Sequence, residues 1–261
     1  ACSEPVSLIT RSEDETRAVG AMLAEAMVGG ERIGLSGELG AGKTCLVRGL
    51  AEGLGIAPEK VAVIPNALSR DFMAPATQED IDRVRAKYAL PETYAIYVGT
   101  LQPRKNIPFL VEAFSKLKER LPASPDQGGP EAKLVLVGNR RGHHADTRLD
   151  ETINRLNMAE DIVFPGFVDQ DDLPAVIRGA SVFAFPSLYE GFGIPLLEAM
   201  SQEVPVAAAD IPSLREVAGD AALYFDVSGD AASLVSCADT LYTLFIDQSR
   251  RSALIHAGKE R

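Results

Sequence analysis

Phe185-Pro186-Ser187-Leu188-Tyr189-Glu190-Gly191-Phe192-Gly193-Ile194-Pro195-Leu196-Leu197-Glu198-Ala199-Met200 is the stretch that decides the fold. The apolar run 181–185 that leads into it reads as a buried parallel strand, short and bounded by turn residues. Pro186 and Ser187 end that strand, and Gly191 and Gly193 break the chain where a helix should begin. Ile194 to Met200 has helix-forming Leu and Ala, and Pro195 is tolerated because it falls in the first turn. Strand end, glycine turn and helix N-terminus together present backbone N–H groups and a positive dipole end to an anion. Glu190 and Glu198 bracket the turn, and an ionised carboxylate is a pure acceptor for the hydroxyls of a sugar or a ribose. The pattern describes a site for a sugar joined to a phosphate.

Working outward, strand-like and helix-like segments alternate from Tyr94 onward. Strands are expected at 94–98, 133–137, 162–164, 181–185, 204–208 and 222–225. Helices are expected at 107–121, 149–156, 173–178, 194–200 and 213–217 (Ser213 capping with Glu216), with a final one from Ala231. The Pro/Gly-rich stretch 122–130 reads as a surface loop. This is an α/β pattern, a doubly wound parallel sheet whose ligand chemistry belongs at the carboxyl ends of its strands. The loop after the first strand carries Gly99, Arg104 and Lys105. Two cations at the mouth of a helix gain nothing from the helix dipole, so a diphosphate accounts for them better than helix stability does. From this loop alone, two solvated surface cations remain an equal reading. Gly166-Phe167-Val168, after the third strand, can offer main-chain groups to a base. Asp169-Gln170-Asp171-Asp172 precedes a helix and reads as a cap and dipole partner rather than a metal site. His143-His144 reads as an exposed loop pair.

The segments "VIPNA" (63–67), "YVGTLQPRKN" (97–106), "LVLVG" (134–138), "VFPGFV" (163–168), "LPAVIRGASVFAFPSLYEGFGIPLLEAM" (173–200) and "REVAGDAALYFD" (215–226) stand in a specific order and spacing. In that order they resemble the donor-binding C-terminal half of retaining GT-B glycosyltransferases of the group 1, mannosyltransferase-like type. The resemblance implies a Rossmann-like domain that binds a nucleotide sugar such as GDP-mannose or a UDP-sugar. It implies that Arg104 and Lys105 neutralise the diphosphate, that Glu190 lies against the transferred sugar and that Glu198 holds the ribose. Main-chain groups of Gly99, Gly166, Phe167, Val168, Gly191, Phe192 and Gly193 would complete the donor site. No metal is expected for transfer, because two cations carry the leaving-group charge. The acceptor it implies is a glycan or a lipid-linked sugar. The family's acceptor-binding half has no counterpart in this sequence, so donor binding without transfer is one expectation.

Upstream, Ser12 and Glu15 form a capping-box pattern, and Val19, Met22, Leu23 and Met27 recur at helical spacing as if facing a core. Residues 32–36 read as a short strand, and 61–67 as another followed by a turn. Between the first of these and a helix lies Gly37-Glu38-Leu39-Gly40-Ala41-Gly42-Lys43-Thr44, a complete G-x-x-x-x-G-K-[ST] match. Such a loop wraps amides of Gly37, Gly40 and Gly42 around phosphates, with Lys43 as a point charge and the Thr44 hydroxyl on Mg²⁺. The run "GLSGELGAGKTCLVRGLAEGLGI" (34–56) resembles the P-loop ATPase of bacterial tRNA threonylcarbamoyladenosine biosynthesis. That resemblance implies ATP and Mg²⁺ at Gly37, Gly40, Gly42, Lys43 and Thr44, and it supplies the alternative function, an ATP-binding protein linked to that modification. The resemblance stops after Ile56, which leaves a truncated or fused fragment as the plainer reading. Three segments are therefore expected: a small P-loop-like α/β segment over 1–60, a linking strand and helix over 61–93, and the nucleotide-sugar domain over 94–261.

Composition sets the outer bounds. A formal net charge of −11 argues against broad nucleic-acid or anionic-membrane binding. Cys2, Cys45 and Cys237 are far apart and in no metal spacing, which fits a reducing compartment. No apolar run reaches membrane-spanning length, so the expectation is a cytoplasmic chain, with peripheral attachment at the inner membrane surface left open.

Overall fold

A computed structural model describes residues 6–37, 41–62, 64, 66–121, 131–140, 142 and 145–261. The expected loop 122–130, His143-His144 and Gly40 lie outside the described residues. The chain divides into two compact units, Ala1–Pro65 and Asn66–Arg261.

The first unit contains the helices α1 (Glu13–Glu25) and α2 (Lys43–Gly53). Ser12 caps α1 by accepting from the Glu15 N–H at 3.1 Å, while the Glu15 carboxylate reaches back to the Arg11 N–H at 2.6 Å. The two helices meet on a seam of small residues. A Cβ on Gly49 would stand 2.0 Å from the Arg17 carbonyl, and one on Gly20 would stand 2.4 Å from the Leu46 carbonyl. This corrects the expected core face: Gly20 and Ala24 are the buried residues of α1, whereas Met22 and Leu23 are exposed and Val19 and Met27 only half-buried. Close backbone approach selects small side chains and leaves the large apolar ones outside. Residues 32–36 form no strand, and neither do the described residues of 61–67. A strand needs a hydrogen-bonding partner, and the described part of this unit supplies none.

The second unit opens with α3 (Gln78–Tyr88), whose start is fixed by a capping box between Thr77 and Asp80. Six parallel strands follow: β1 (Tyr94–Val98), β2 (Lys133–Val137), β3 (Ile162–Val163), β4 (Val182–Phe185), β5 (Val206–Ala209) and β6 (Ala222–Phe225). Their order in the sheet is β3-β2-β1-β4-β5-β6, the doubly wound order that reverses direction between β1 and β4. Helices cover both faces, so β4 and β5 are buried along their whole length and read as continuous apolar runs instead of alternating ones. The connecting helices are α4 (Ile107–Arg120), α5 (Arg148–Arg155), α6 (Leu173–Arg178), α7 (Ile194–Ser201), α8 (Pro212–Ala218), α9 (Ala231–Ile246) and α10 (Gln248–Gly258).

Side chains such as Phe183, Phe185 and Phe225 are fully buried in this core, each contributing about 1.5–3 kcal/mol relative to exposure. The expected final helix is two helices, separated at Asp247, whose carboxylate accepts from the Arg250 N–H and caps α10. The expected Ser213–Glu216 cap does not form: Pro212 opens α8, and Ile211 precedes it without a side-chain cap. The Asp169–Asp172 run is not a side-chain cap either. Asp172 is almost fully buried and accepts hydrogen bonds from Arg83 at 2.6 Å, Lys87 at 2.6 Å and Tyr88 at 2.7 Å, which ties α3 to the start of α6. These donors hold the Asp172 carboxyl far below the usual carboxylate range. Among the described residues no helix is long and apolar enough to cross a membrane.

Candidate functional site

The candidate site lies where the strand order reverses, at the carboxyl ends of β1 and β4. Gly99 follows β1 with φ +150° and donates its N–H to the Val137 carbonyl at 3.0 Å. Gly138, after β2, must lack a side chain, because a Cβ there would stand 2.1 Å from the Gly99 carbonyl. The chain then makes a 3₁₀ turn, Pro103–Lys105, and enters α4 through Asn106 in the left-handed conformation.

That turn places Arg104 and Lys105 against the loop after β4. The Arg104 carbonyl accepts from the Leu188 N–H at 2.9 Å, so backbone joins backbone before any side chain is involved. Lys105 is buried and pairs with one oxygen of Glu190, while Arg104 Nη1 reaches the other at 3.2 Å. Glu190 is itself only 8% exposed. The Lys105 ammonium also lies 5.0 Å from the centre of the Phe185 ring. Burial pushes the Lys105 ammonium below its ordinary pKa, against the opposing pull of Glu190. Two cations facing one carboxylate leave a net positive charge in a poorly hydrated place, the electrostatic condition for attracting a polyanion. Ser187, next in line, is fully buried, and its hydroxyl finds no partner among the described residues.

Gly193, with φ +105° and three residues beyond Glu190, turns the chain into α7. Glu198 lies one turn into α7, half-buried and without an ion pair among the described residues, and burial raises its pKa. The structure thus brings Arg104, Lys105 and Glu190 into direct contact but shows no such contact for Glu198. Gly166, at φ +78°, and the exposed Phe167 border a separate cavity of ≈ 510 Å³, floored by Val168 and walled by residues 137–140 and Phe164. Gly191 has open space beside it.

In the first unit, Lys43 folds back to donate to the Gly37 carbonyl at 2.7 Å, and Thr44 is exposed at the start of α2. The sequence marks Gly138 only as the end of the "LVLVG" segment, although the rule that singled out Gly99, a glycine closing a buried strand, applies equally after β2.

A reversed parallel sheet with charged loops at its carboxyl edge defines the doubly wound α/β class, which takes its ligands at that edge. Within that class the chain belongs to the group 1 glycosyl transferases, whose family model matches residues 79–261. A second family model, the threonylcarbamoyl adenosine biosynthesis protein TsaE, matches residues 10–83. The chain is 37% identical over 169 residues to the O-antigen chain mannosyltransferase B of Escherichia coli, covering 64% of this chain and 42% of that protein. It therefore spans about two-fifths of that relative's length. Among solved structures, Anabaena Alr3699/HepE in complex with UDP and glucose matches with a TM-score of 0.67 and 20% identity, over 96% of this chain and 62% of that one. Sucrose-phosphate synthase from Thermosynechococcus elongatus matches with a TM-score of 0.61 and 25% identity, over 76% and 46% respectively. The fold common to these structures is the GT-B fold.

Proposed function

We propose that Asn66–Arg261 binds a nucleotide-sugar donor and forms the donor half of a retaining glycosyltransferase. One observation carries this reading: Arg104 and Lys105, from the loop after β1, converge on Glu190, from the loop after β4, at the switch point of the sheet. Breaking the bond between the anomeric carbon and its oxygen sends the electron pair onto the diphosphate and leaves an oxocarbenium-like sugar. Cations already in place for the departing diphosphate lower that barrier, and one such donor is worth about 3 kcal/mol in comparable sites. In this reading Arg104 and Lys105 turn from Glu190 to the diphosphate, Glu190 is left beside the sugar, and Glu198 takes ribose hydroxyls. Main-chain groups of Gly99 and of Gly191 to Gly193 line the phosphate and sugar path, and those of Gly166 to Val168 face the base. No divalent metal enters this scheme. Transfer also needs a second wall that carries the acceptor and excludes water; a glycan or lipid-linked sugar would be that acceptor.

Thermal unfolding with GDP-mannose and UDP-sugars tests the proposal. A rise in midpoint with at least one of them is expected, lost in Lys105→Ala and weakened about tenfold in affinity in Arg104→Gln, which keeps the Lys105–Glu190 pair. No shift with any nucleotide sugar counts against the reading.

A second reading rests on the P-loop match and the TsaE model over residues 10–83. It is an ATP site with Mg²⁺ on Thr44 and phosphates on Lys43 and the loop glycines. Mg-ATP binding abolished by Lys43→Ala supports it; ATP binding unaffected by that substitution discards it.

A further inference from the structure

We infer that Arg140 selects the base of the donor, and that the base it selects is guanine. The inference rests on the donor-binding proposal above and assigns a role to a side chain which that proposal leaves unused. Arg140 sits two residues beyond Gly138 at the rim of the ≈ 510 Å³ cavity, large enough for a purine nucleoside. Its guanidinium lies 4.3 Å from the centre of the Phe164 ring, so the plane has an aromatic backing. Asp150 accepts from Nε at 2.8 Å and from Nη2 at 2.6 Å, which uses one edge of the guanidinium and sets its direction. The outer edge, both Nη1 hydrogens and the second Nη2 hydrogen, has no acceptor among the described residues, and the side chain is 42% exposed. A fork held against Phe164, oriented by Asp150 and half-wet offers two parallel donors from its free edge.

The acceptor pattern that fits two parallel donors is a pair of adjacent acceptors on one edge. Guanine presents N7 and O6 in that arrangement. Adenine replaces O6 with an amino donor, which points a hydrogen at the guanidinium, and uracil offers O4 without a second acceptor beside it. Phe167, 85% exposed at the same rim, gives a flat apolar surface for a fused two-ring base.

The test is calorimetric titration of the full chain with GDP, ADP, UDP and CDP, repeated for Arg140→Ala and Arg140→Lys. GDP should bind at least tenfold more tightly than the other three. Arg140→Ala should weaken GDP about ten- to a hundredfold and change UDP by less than about twofold, since a bidentate contact of this kind is worth that much discrimination. Arg140→Lys, which keeps the charge without the fork, should behave like Arg140→Ala. Equal losses for all four nucleotides, or full GDP affinity in either variant, overturn the inference. If UDP, CDP or ADP binds as tightly as GDP and Lys105→Ala abolishes that binding, the donor site stands and the role of Arg140 falls. If a cooperatively folded protein binds none of the four, the donor reading fails and takes this inference with it.

Discussion

Lys105 and Glu190, 85 residues apart in the chain, form a buried ion pair that ties the loop after β1 to the loop after β4. With Lys105 7% and Glu190 8% exposed, removing either charge leaves the other poorly solvated, at a cost of about 3 kcal/mol. Glu190→Gln and Lys105→Met should each lower stability in urea by roughly that amount, while the double variant loses much less than the sum. A double-mutant cycle with a coupling energy near zero would show that the pair does not hold the two loops together.

Asp172→Asn should destabilise the sheet unit by about 1–3 kcal/mol, because Arg83, Lys87 and Tyr88 lose the negative charge they share and one of its two acceptor oxygens becomes an amide donor. The Asp172 pKa lies below its unfolded value, so its contribution is complete above about pH 4 and disappears as the pH falls through the folded value. The gap between wild type and Asp172→Asn should therefore narrow as the pH is lowered below 4. Melts at several acid pH values, with an unchanged gap as the contrary outcome, check this.

Glu198 has the opposite sign. Burial raises its pKa, so the folded state favours the protonated form and loses stability as rising pH ionises the group. Glu198→Gln should raise the midpoint of unligated protein at neutral pH, with the gain shrinking toward pH 4. The same substitution should weaken nucleotide-sugar binding. A midpoint difference independent of pH would mean that the carboxylate is better solvated than its place on α7 indicates.

Gly138→Ala places a methyl group 2.1 Å from the Gly99 carbonyl, where backbone and not a flexible side chain must give way. A cost of about 1–3 kcal/mol is expected, as for other overpacked sites, together with loss of donor affinity as the loop after β1 is pushed aside. Urea unfolding and titration with the best-binding nucleotide measure both effects.

The first unit should be the least stable part of the chain. Its two helices pack through glycine and alanine, and large apolar side chains including Met22, Leu23, Ile33 and Val47 stay exposed. So little burial cannot offset the ordering of its backbone by a wide margin. Hydrogen exchange in α1 and α2 should be orders of magnitude faster than in β1 and β4. Gly49→Ala, with a Cβ 2.0 Å from the Arg17 carbonyl, should abolish protection in α1 and α2 alone.

Much of this molecule is legible in its sequence for local reasons. Buried parallel strands are continuous apolar runs, and Tyr94–Val98, Lys133–Val137 and Val182–Phe185 stand out as such without knowledge of their neighbours. Glycines at strand ends and proline in the first turn of a helix mark the loops, which is why Arg104, Lys105, Glu190 and Glu198 could be singled out as a group. Periodicity misled where packing was the deciding term. Val19, Met22, Leu23 and Met27 have core spacing, yet the helix pair closes on Gly20, Ala24 and Gly49 instead. The Asp169–Asp172 run reads locally as a cap, and only the docking of α3 turns Asp172 into the acceptor for three donors.

The sequence by itself determined roughly where the six strands of the sheet lie, in what order they occur and which charged residues follow them, because those properties are written in short-range pattern. Tertiary structure decided that Arg104 and Lys105 rest on Glu190, that Arg140 lies over the Phe164 ring and is steered by Asp150, and that residues 32–36 form no strand. Each of those outcomes depends on a partner distant in the chain, present in the first two cases and wanting among the described residues in the third, and no local pattern records whether such a partner arrives.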